Sequence, residues 1–394
     1  MKKSLLATLV AGLFATSANA GIVIPAGEWT LDINGNVNAY YTSTRENGKV
    51  VTPNGSEASV AGHTQSNITT GLLPNWIAIS GKSRQNDLDI GFTISLQPGA
   101  ATETSGTTGS INQRQAYMTI GDKSWGSVKL GKDLGIFASD AILNDMTLLG
   151  VGGGAAAVGN TTLGRIGAGY MYADWKSQIA YTTPNWDGLS FTVGVTQGWN
   201  AVSTTTGLSD ESTRRSGAQP AFEAKVNYDV AVAGATVKTW ASAFTQKVEG
   251  LSSGGSARAS AWDVGSTVNV ADFGLTGYYS EGKGTGTTFL LNDGLNADGS
   301  RRQSKDWYVQ GTYKLPTNTK VGLSYGESNL DGRLSGAASD YANEMWVVGA
   351  YHPLTKSVNL VAEYSDRKTK LDVAGLANAE ATAKTVSLGA ILFF

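Results

Sequence analysis

Residues 88–97 read LDIGFTISLQ, so Leu88, Ile90, Phe92, Ile94 and Leu96 alternate with Asp89, Gly91, Thr93, Ser95 and Gln97. A period of two places the apolar side chains on one face of an extended strand and the polar ones on the other. A run of about ten residues also suits a tilted strand that crosses a bilayer. The same pattern recurs along the chain. Leu31, Ile33, Val37, Ala39 and Tyr41 alternate with Asp32, Asn34, Asn36, Asn38 and Tyr40, and Leu189, Phe191, Val193 and Val195 form one face of a later run. The last run ends Val386, Leu388, Ala390, Leu392 and Phe394. Sixteen such runs lie between Trp29 and Phe394, the weakest opening at Ile77 and Ile79.

The connections between the runs fall into two alternating kinds. Short ones lie at 85–86, 122–124, 185–187, 230–234, 271–272, 316–318 and 352–356. Long ones lie at 44–74, 98–113, 200–220, 249–259, 284–302, 330–340 and 368–381, with the longest apolar one at about 133–168. Short turns at one end and long loops at the other are expected of an antiparallel transmembrane β-barrel, here with sixteen strands. A soluble β-sandwich would share the alternation. Against it stand strand lengths about twice the globular norm, aromatic residues near strand ends, and an opposite face rich in Asn, Ser, Thr and Gln. In hydrocarbon a sheet must close on itself so that every backbone group is paired, so the first and last runs are expected to meet.

Residues 1–20 are expected to be a cleaved signal peptide: Lys2 and Lys3 precede an apolar stretch from Leu5 to Ala15, and Ala18-Asn19-Ala20 forms a small-residue cleavage site. Residues 21–394 are then read as one barrel domain. The chain has no cysteine, so neither disulfides nor thiol chemistry are available. Thirty basic and thirty-two acidic residues leave it near neutral, which gives no support to a nucleic-acid partner. Its two histidines, His63 and His352, sit in no nucleophile or metal-ligand spacing, so no enzyme activity, metal or cofactor is expected. Residues 293–300 (DGLNADGS) resemble a calcium loop only superficially, because the acidic first position and the closing glutamate are missing.

The connection after Lys132 reads DLGIFASDAILNDMTLLGVGGGAAAVGNTTLGR through Arg165. Loops beyond roughly 12–15 residues are uncommon unless functional, and this one is too apolar to wave in water. It is expected to fold into the barrel lumen and narrow it.

The flanking motifs carry a resemblance to the general porins of Gram-negative outer membranes. RQAYMTIG at 114–121 followed by GSVKLGK at 126–132 resembles the hairpin that leads into the porin constriction loop. RIGAG at 165–169 and YTTPNWDGLS at 181–190 resemble the segment leading out, and VGAYHPLTKS at 348–357 with terminal Phe394 resembles the end of the chain. The resemblance implies a homotrimer in outer-membrane lipid and lipopolysaccharide that passes small hydrophilic solutes and ions. It implies a constriction with wall arginines at Arg114 and Arg165 facing Asp140 and Asp145 of the loop. Lys129 joins them from strand parity, since it alternates with Val128 and Leu130. Two departures stand out: an arginine expected on the second strand is replaced near Trp76, with Lys82 and Arg84 further on, and the usual acidic loop tip is the apolar LLGVGGG at 148–154. A substrate-selective channel of the same fold, or an adhesive barrel with a plugged lumen, are the alternatives.

Overall fold

The computed structural model describes residues 21–51, 57–59, 62–99, 111–153, 161–201, 219–251, 255–296, 298–334, 337–375 and 378–394. Its strands are β1 (Ile22–Ala26), β2 (Trp29–Val51), β3 (Glu57–Ser59), β4 (His63–Thr69), β5 (Trp76–Gln85), β6 (Leu88–Pro98), β7 (Ile111–Asp122), β8 (Gly126–Leu134), β9 (Trp175–Thr182) and β10 (Leu189–Thr196). There follow β11 (Ala221–Val232), β12 (Ala235–Val248), β13 (Ala257–Val270), β14 (Phe273–Lys283), β15 (Gln303–Lys314), β16 (Lys320–Leu334), β17 (Ala337–Pro353), β18 (Val358–Val373) and β19 (Ala379–Phe393). β4 and β5 both pair with β2 and make one stave, interrupted by an inward turn at Thr70–Asn75. With β2 and β6 to β19 this gives a closed antiparallel barrel of sixteen staves.

Closure is made by β19 on β2, in register from Ala381↔Gly48 to Phe393↔Asn36. Phe394 exchanges both backbone hydrogen bonds with Gly35, at 2.9 and 3.1 Å. β1 continues the same stave at that end, pairing Ile22 with Ile33. No edge is left to hydrocarbon along this seam, which is the condition for a sheet to span a bilayer. Among the described residues no helix is long and apolar enough to cross a membrane.

The two faces of the wall follow the alternation in the sequence. Ile79, Ile94, Phe191, Val264, Leu275, Leu323 and Leu388 stand exposed on the outside. Aromatic pairs mark two belts on that face: Trp29–Phe92, Trp186–Phe191 and Phe273–Tyr313 near the short turns, and Trp262–Tyr279, Trp307–Tyr325 and Trp346–Tyr364 further along the strands. Such rings suit the two interfaces of a bilayer. The short turns use left-handed residues, as at Asn86 (φ 47°) and Asp87 (φ 62°), whose conformation matches the twist of a two-residue hairpin.

Strand ends differ from the sequence expectation in two regions. β2 runs to Val51, and β3 and β4 lie inside the loop expected at 44–74. β16 to β19 continue well past residues 329, 341, 367 and 382, so the loops expected at 330–340 and 368–381 shrink to hairpins. The inward face stays apolar there, with Leu330, Tyr341, Leu371 and Ala379 packed together. The outward face becomes charged, and Asp331, Asp340 and Asp372 fall in one cross-strand row. Beyond the apolar belt the outer face meets polar surroundings, so the pattern that marks a membrane strand inverts and the strand no longer reads as one.

Candidate functional site

Between β8 and β9 the chain leaves the wall at Gly135 and returns at Asp174, a connection longer than the 133–168 expected and closed at its neck by Gly135 N–H donating to the Asp174 carbonyl at 2.7 Å. Its first part forms the short helix α1 (Ser139–Leu143), and a 3-10 turn follows at Met146–Leu149. Ala138 turns the chain into α1 in the left-handed conformation, φ 63°. The loop lies inside the barrel because half of the inner wall is built to receive it.

Two wall glutamates each accept two successive loop amides. Glu223 on β11 takes Ile136 and Phe137 N–H on one carboxylate oxygen, both at 2.8 Å. Its other oxygen binds the Lys176 ammonium of β9 at 2.5 Å and the Thr196 hydroxyl of β10 at 3.0 Å. Lys176 and Glu223 side chains are both fully buried. Glu363 on β18 takes Val151 and Gly152 N–H at 2.7 and 2.8 Å, and the Tyr351 hydroxyl at 2.6 Å. A Cβ on Gly150 would stand 2.1 Å from Glu363 Oε1, so the glycine lets the carboxylate reach the backbone. The next glycines are equally crowded: a Cβ at Gly153 would meet Met345 Sδ at 2.2 Å, and one at Gly164 would meet Leu72. The apolar tip is therefore a dry docking surface as far as Gly153; residues 154–159 of that stretch lie outside the described residues.

The opposite side of the tip is held by the inward turn at Thr70–Asn75. Asn38 on β2 accepts from Gly71 N–H at 2.9 Å, donates to the Leu73 carbonyl at 3.0 Å, and its own N–H meets Asn75 Oδ1 at 2.6 Å. The turn then bonds the loop: Leu72 N–H to the Gly150 carbonyl at 2.8 Å, and Thr162 N–H to the Gly71 carbonyl at 3.0 Å. Tyr40 adds a hydroxyl bond to the Leu149 carbonyl at 2.6 Å.

Asp140 in α1 turns toward the wall it lies on. It binds Lys225 of β11 at 2.9 Å and Lys238 of β12 at 2.7 Å, and its side chain is 2 % exposed. Burial alone would raise its pKa, but the two ammonium groups outweigh that and hold it below the usual carboxylate range. Asp145 caps the 3-10 turn through Thr147 N–H at 2.9 Å and accepts the Tyr170 hydroxyl at 2.7 Å. Arg165 does not stand on the barrel wall. It lies in the loop, fully buried, donating to the carbonyls of Ala168 at 3.1 Å and Met345 at 2.9 Å, and burial lowers its pKa. Asp145 and Arg165 lie within electrostatic reach of each other, as expected of a facing pair, but both belong to the buried loop; Asp140 is bound to lysines of the wall it lies on, which differs from the sequence expectation. A row of tyrosines explains part of it: Tyr170 of the loop packs edge-on against Tyr278 and Tyr308, and the Tyr308 hydroxyl reaches the Ala141 carbonyl.

Arg114 and Lys129 stand on the other half of the wall. A register shift opposite Ser95 and Gln97 of β6 turns Arg114 of β7 inward, where it is buried with its guanidinium 5.8 Å from the Trp175 ring. Lys129 lies on the inward face of β8, bound to Asp133, with its ammonium 4.9 Å from the Tyr117 ring. On this half, from β5 to β10, inward residues such as Ser80, Lys82, Thr93, Tyr117, Ser127, Thr182 and Thr192 remain open to solvent. On β12 to β19 the inward residues at loop height are buried. A loop docked on one half of the barrel leaves the polar other half to line a passage.

A closed sixteen-stave barrel with an inward-docked loop defines a membrane channel. A family model described as Gram-negative porin matches residues 7–372, and the chain belongs to that family. It is an outer-membrane diffusion channel. Comparison with curated proteins gives no match. Among solved structures it is similar to the outer membrane channel DcaP of Acinetobacter baumannii, with TM-score 0.68 and 18 % identity over 95 % of this chain and 100 % of that one. It is also similar to an anion-selective porin from Comamonas acidovorans (TM-score 0.63, 16 % identity, 93 % and 100 % covered) and to the trimer form of OmpT from Vibrio cholerae (0.56, 13 %, 93 % and 99 %). At these identities the likeness is one of fold.

Lys225, Lys238, Glu363, Asn38 and Lys176 were not expected at the site. A wall residue such as Glu223 gives no sequence sign of which loop amide it will meet.

Proposed function

We propose that solutes cross between the docked loop and the open half of the wall, with Lys129 lining the passage, Arg114 buried at its edge against Trp175, and Asp140, Asp145 and Arg165 fixing the loop that bounds it. Small hydrophilic solutes and ions pass in hydrated form, down their gradient, and no bond is made or broken. The observation that carries this reading is the division of the inner wall into a buried half and a solvent-open half at loop height. Residues 1–20 serve as a cleaved signal peptide that sends a single barrel domain, 21–394, to the outer membrane. There the barrel works as a homotrimer surrounded by lipid and lipopolysaccharide; one structural neighbour is itself described in a trimer form.

Reconstitution of the purified protein in a planar bilayer tests the reading. Conductance in steps of three is expected, and absence of any conductance would overturn it. Deleting residues 141–159 should raise the conductance of each step; an unchanged step would show that the loop does not bound the passage.

A further inference from the structure

The ion pairs beside the passage are arranged with the cation in front. Lys129 is 18 % exposed while its partner Asp133 is 5 % exposed. Lys225 and Lys238 are each 18 % exposed while Asp140, which they share, is 2 % exposed. In each case the carboxylate is shielded by wall or loop and the ammonium meets the water. Asp140 is shared by two lysines, and the half-buried Asp229 stands cross-strand from Lys238, so this cluster is balanced and its cations are the better exposed of the central ion pair.

Lys82 on β5 adds to these. It is exposed, lies on the inward face, and forms no ion pair with any described residue. Cross-strand register places Lys82, Gly91, Thr119 and Lys129 in one row. The backbones of Lys82 and Lys129 are thus three strand spacings apart, about 14 Å. Between them stand only a glycine and a threonine, so the two ammonium groups flank a shallow open stretch of wall. Carboxylates that keep exposure on the inner face lie nearer the short turns. Asp89 and Asp122 are held there by Arg84 at 2.8 and 3.0 Å, and Asp32 and Asp229 are half-buried.

We propose that the passage favours small anions, carboxylates and inorganic anions alike, and that Lys82 and Lys129, with the Lys225–Lys238 pair, set this preference. Charge at a narrow aqueous gap between low-dielectric walls acts strongly because field lines are focused there, and rows of lysine or arginine select anions in channels. The proposal rests on the passage lying between the loop and the open half of the wall.

The test is the zero-current potential of the full-length protein in a planar bilayer under a KCl gradient. Chloride is expected to carry more current than potassium at low salt. The preference should fade at about 1 M, where the screening length falls to about 3 Å. The double variant Lys82→Gln/Lys129→Gln should lower the chloride-to-potassium permeability ratio several-fold, and Lys82→Glu/Lys129→Glu should reverse it. A wild-type channel that prefers potassium, or a ratio untouched by the double variants in barrels that still resist detergent when unheated, overturns the proposal. A protein that conducts nothing refutes the channel reading itself, so the two failures are distinct.

Discussion

Replacing Glu363 by alanine removes the acceptor of two loop amides and one tyrosine hydroxyl, all within 2.8 Å and all buried. Hydrogen bonds to a charged group are worth about 1.5–3 kcal/mol each, and an orphaned buried donor costs about 1–3 kcal/mol. The lumen lies close by, so water can repair part of the loss, and the lower end of the range is the better guide: about 3–5 kcal/mol for detachment of the tip. Every 1.4 kcal/mol is a factor of ten, so even about 3 kcal/mol raises the detached population by roughly two orders of magnitude. Gly150→Ala should act alike, because its Cβ would force Glu363 Oε1 away from a 2.1 Å contact. Glu363→Gln should be far milder. Both amides bind Oε2, which the glutamine carbonyl can replace, while its NH₂ can donate to the Tyr351 hydroxyl oxygen. The assay is open-channel current noise in single-channel records. Noise and brief closures should rise in Glu363→Ala and Gly150→Ala and stay near wild type in Glu363→Gln. Quiet records from Glu363→Ala in a folded barrel would refute the pinning argument.

Three other perturbations address the remaining contacts. Lys176→Met strands the buried Glu223 without its cation, a change of the kind that costs about 3–5 kcal/mol; the temperature at which the barrel loses its compact gel mobility should fall, and Lys176→Met/Glu223→Gln should recover part of it. Asp140→Asn should alter conductance at neutral pH by loosening α1. The folded-state pKa of Asp140 is depressed below its ordinary 3.8, so its contribution is complete above that value and is lost only as pH falls through the folded one. The conductance difference between wild type and Asp140→Asn should therefore hold from neutral pH down to about pH 4; closing of the difference near pH 6 would contradict the two-lysine pairing. Asn38→Ala should speed hydrogen exchange of the Gly71 amide, whose acceptor is the Asn38 side chain; unchanged exchange would show that the turn at Thr70–Asn75 is held by its other contacts.

The barrel was readable because a period of two survives in every stave, even in β10, only eight residues long. It failed to mark strand ends where the outer face turns polar, as at Asp331 and Asp372. The site was harder to read. Lys129 and Arg114 could be placed by parity or motif. Arg165 could not, because its neighbourhood is loop, and a loop residue's partners depend on how the segment folds back. Ser95, Gln97 and Arg114 illustrate a second limit: the register shift that turns Arg114 inward depends on cross-strand pairing, which no local pattern reveals. Gly150, Gly152 and Gly153 read as part of an uncharged filter tip; they are small because Glu363, Gly164 and Met345 stand where their side chains would be.

The same crowding explains how a loop without charge at its tip can still produce a charged passage. The loop's fastening spends four carboxylates: Glu223 and Glu363 of the wall on backbone amides, Asp140 on two wall lysines, and Asp145 inside the loop on Thr147 and Tyr170. Carboxylates suit this work because one oxygen can accept two adjacent N–H groups, which no ammonium can do. Docking therefore draws negative charge out of the water and into the seam between loop and wall. Lys176 is buried with Glu223, but Lys129, Lys225 and Lys238, with Lys82 that balances nothing described, stay at the water's edge. A loop held by carboxylates thus leaves the cations to the solute, and the anion preference follows from how the constriction is fastened rather than from residues added to select.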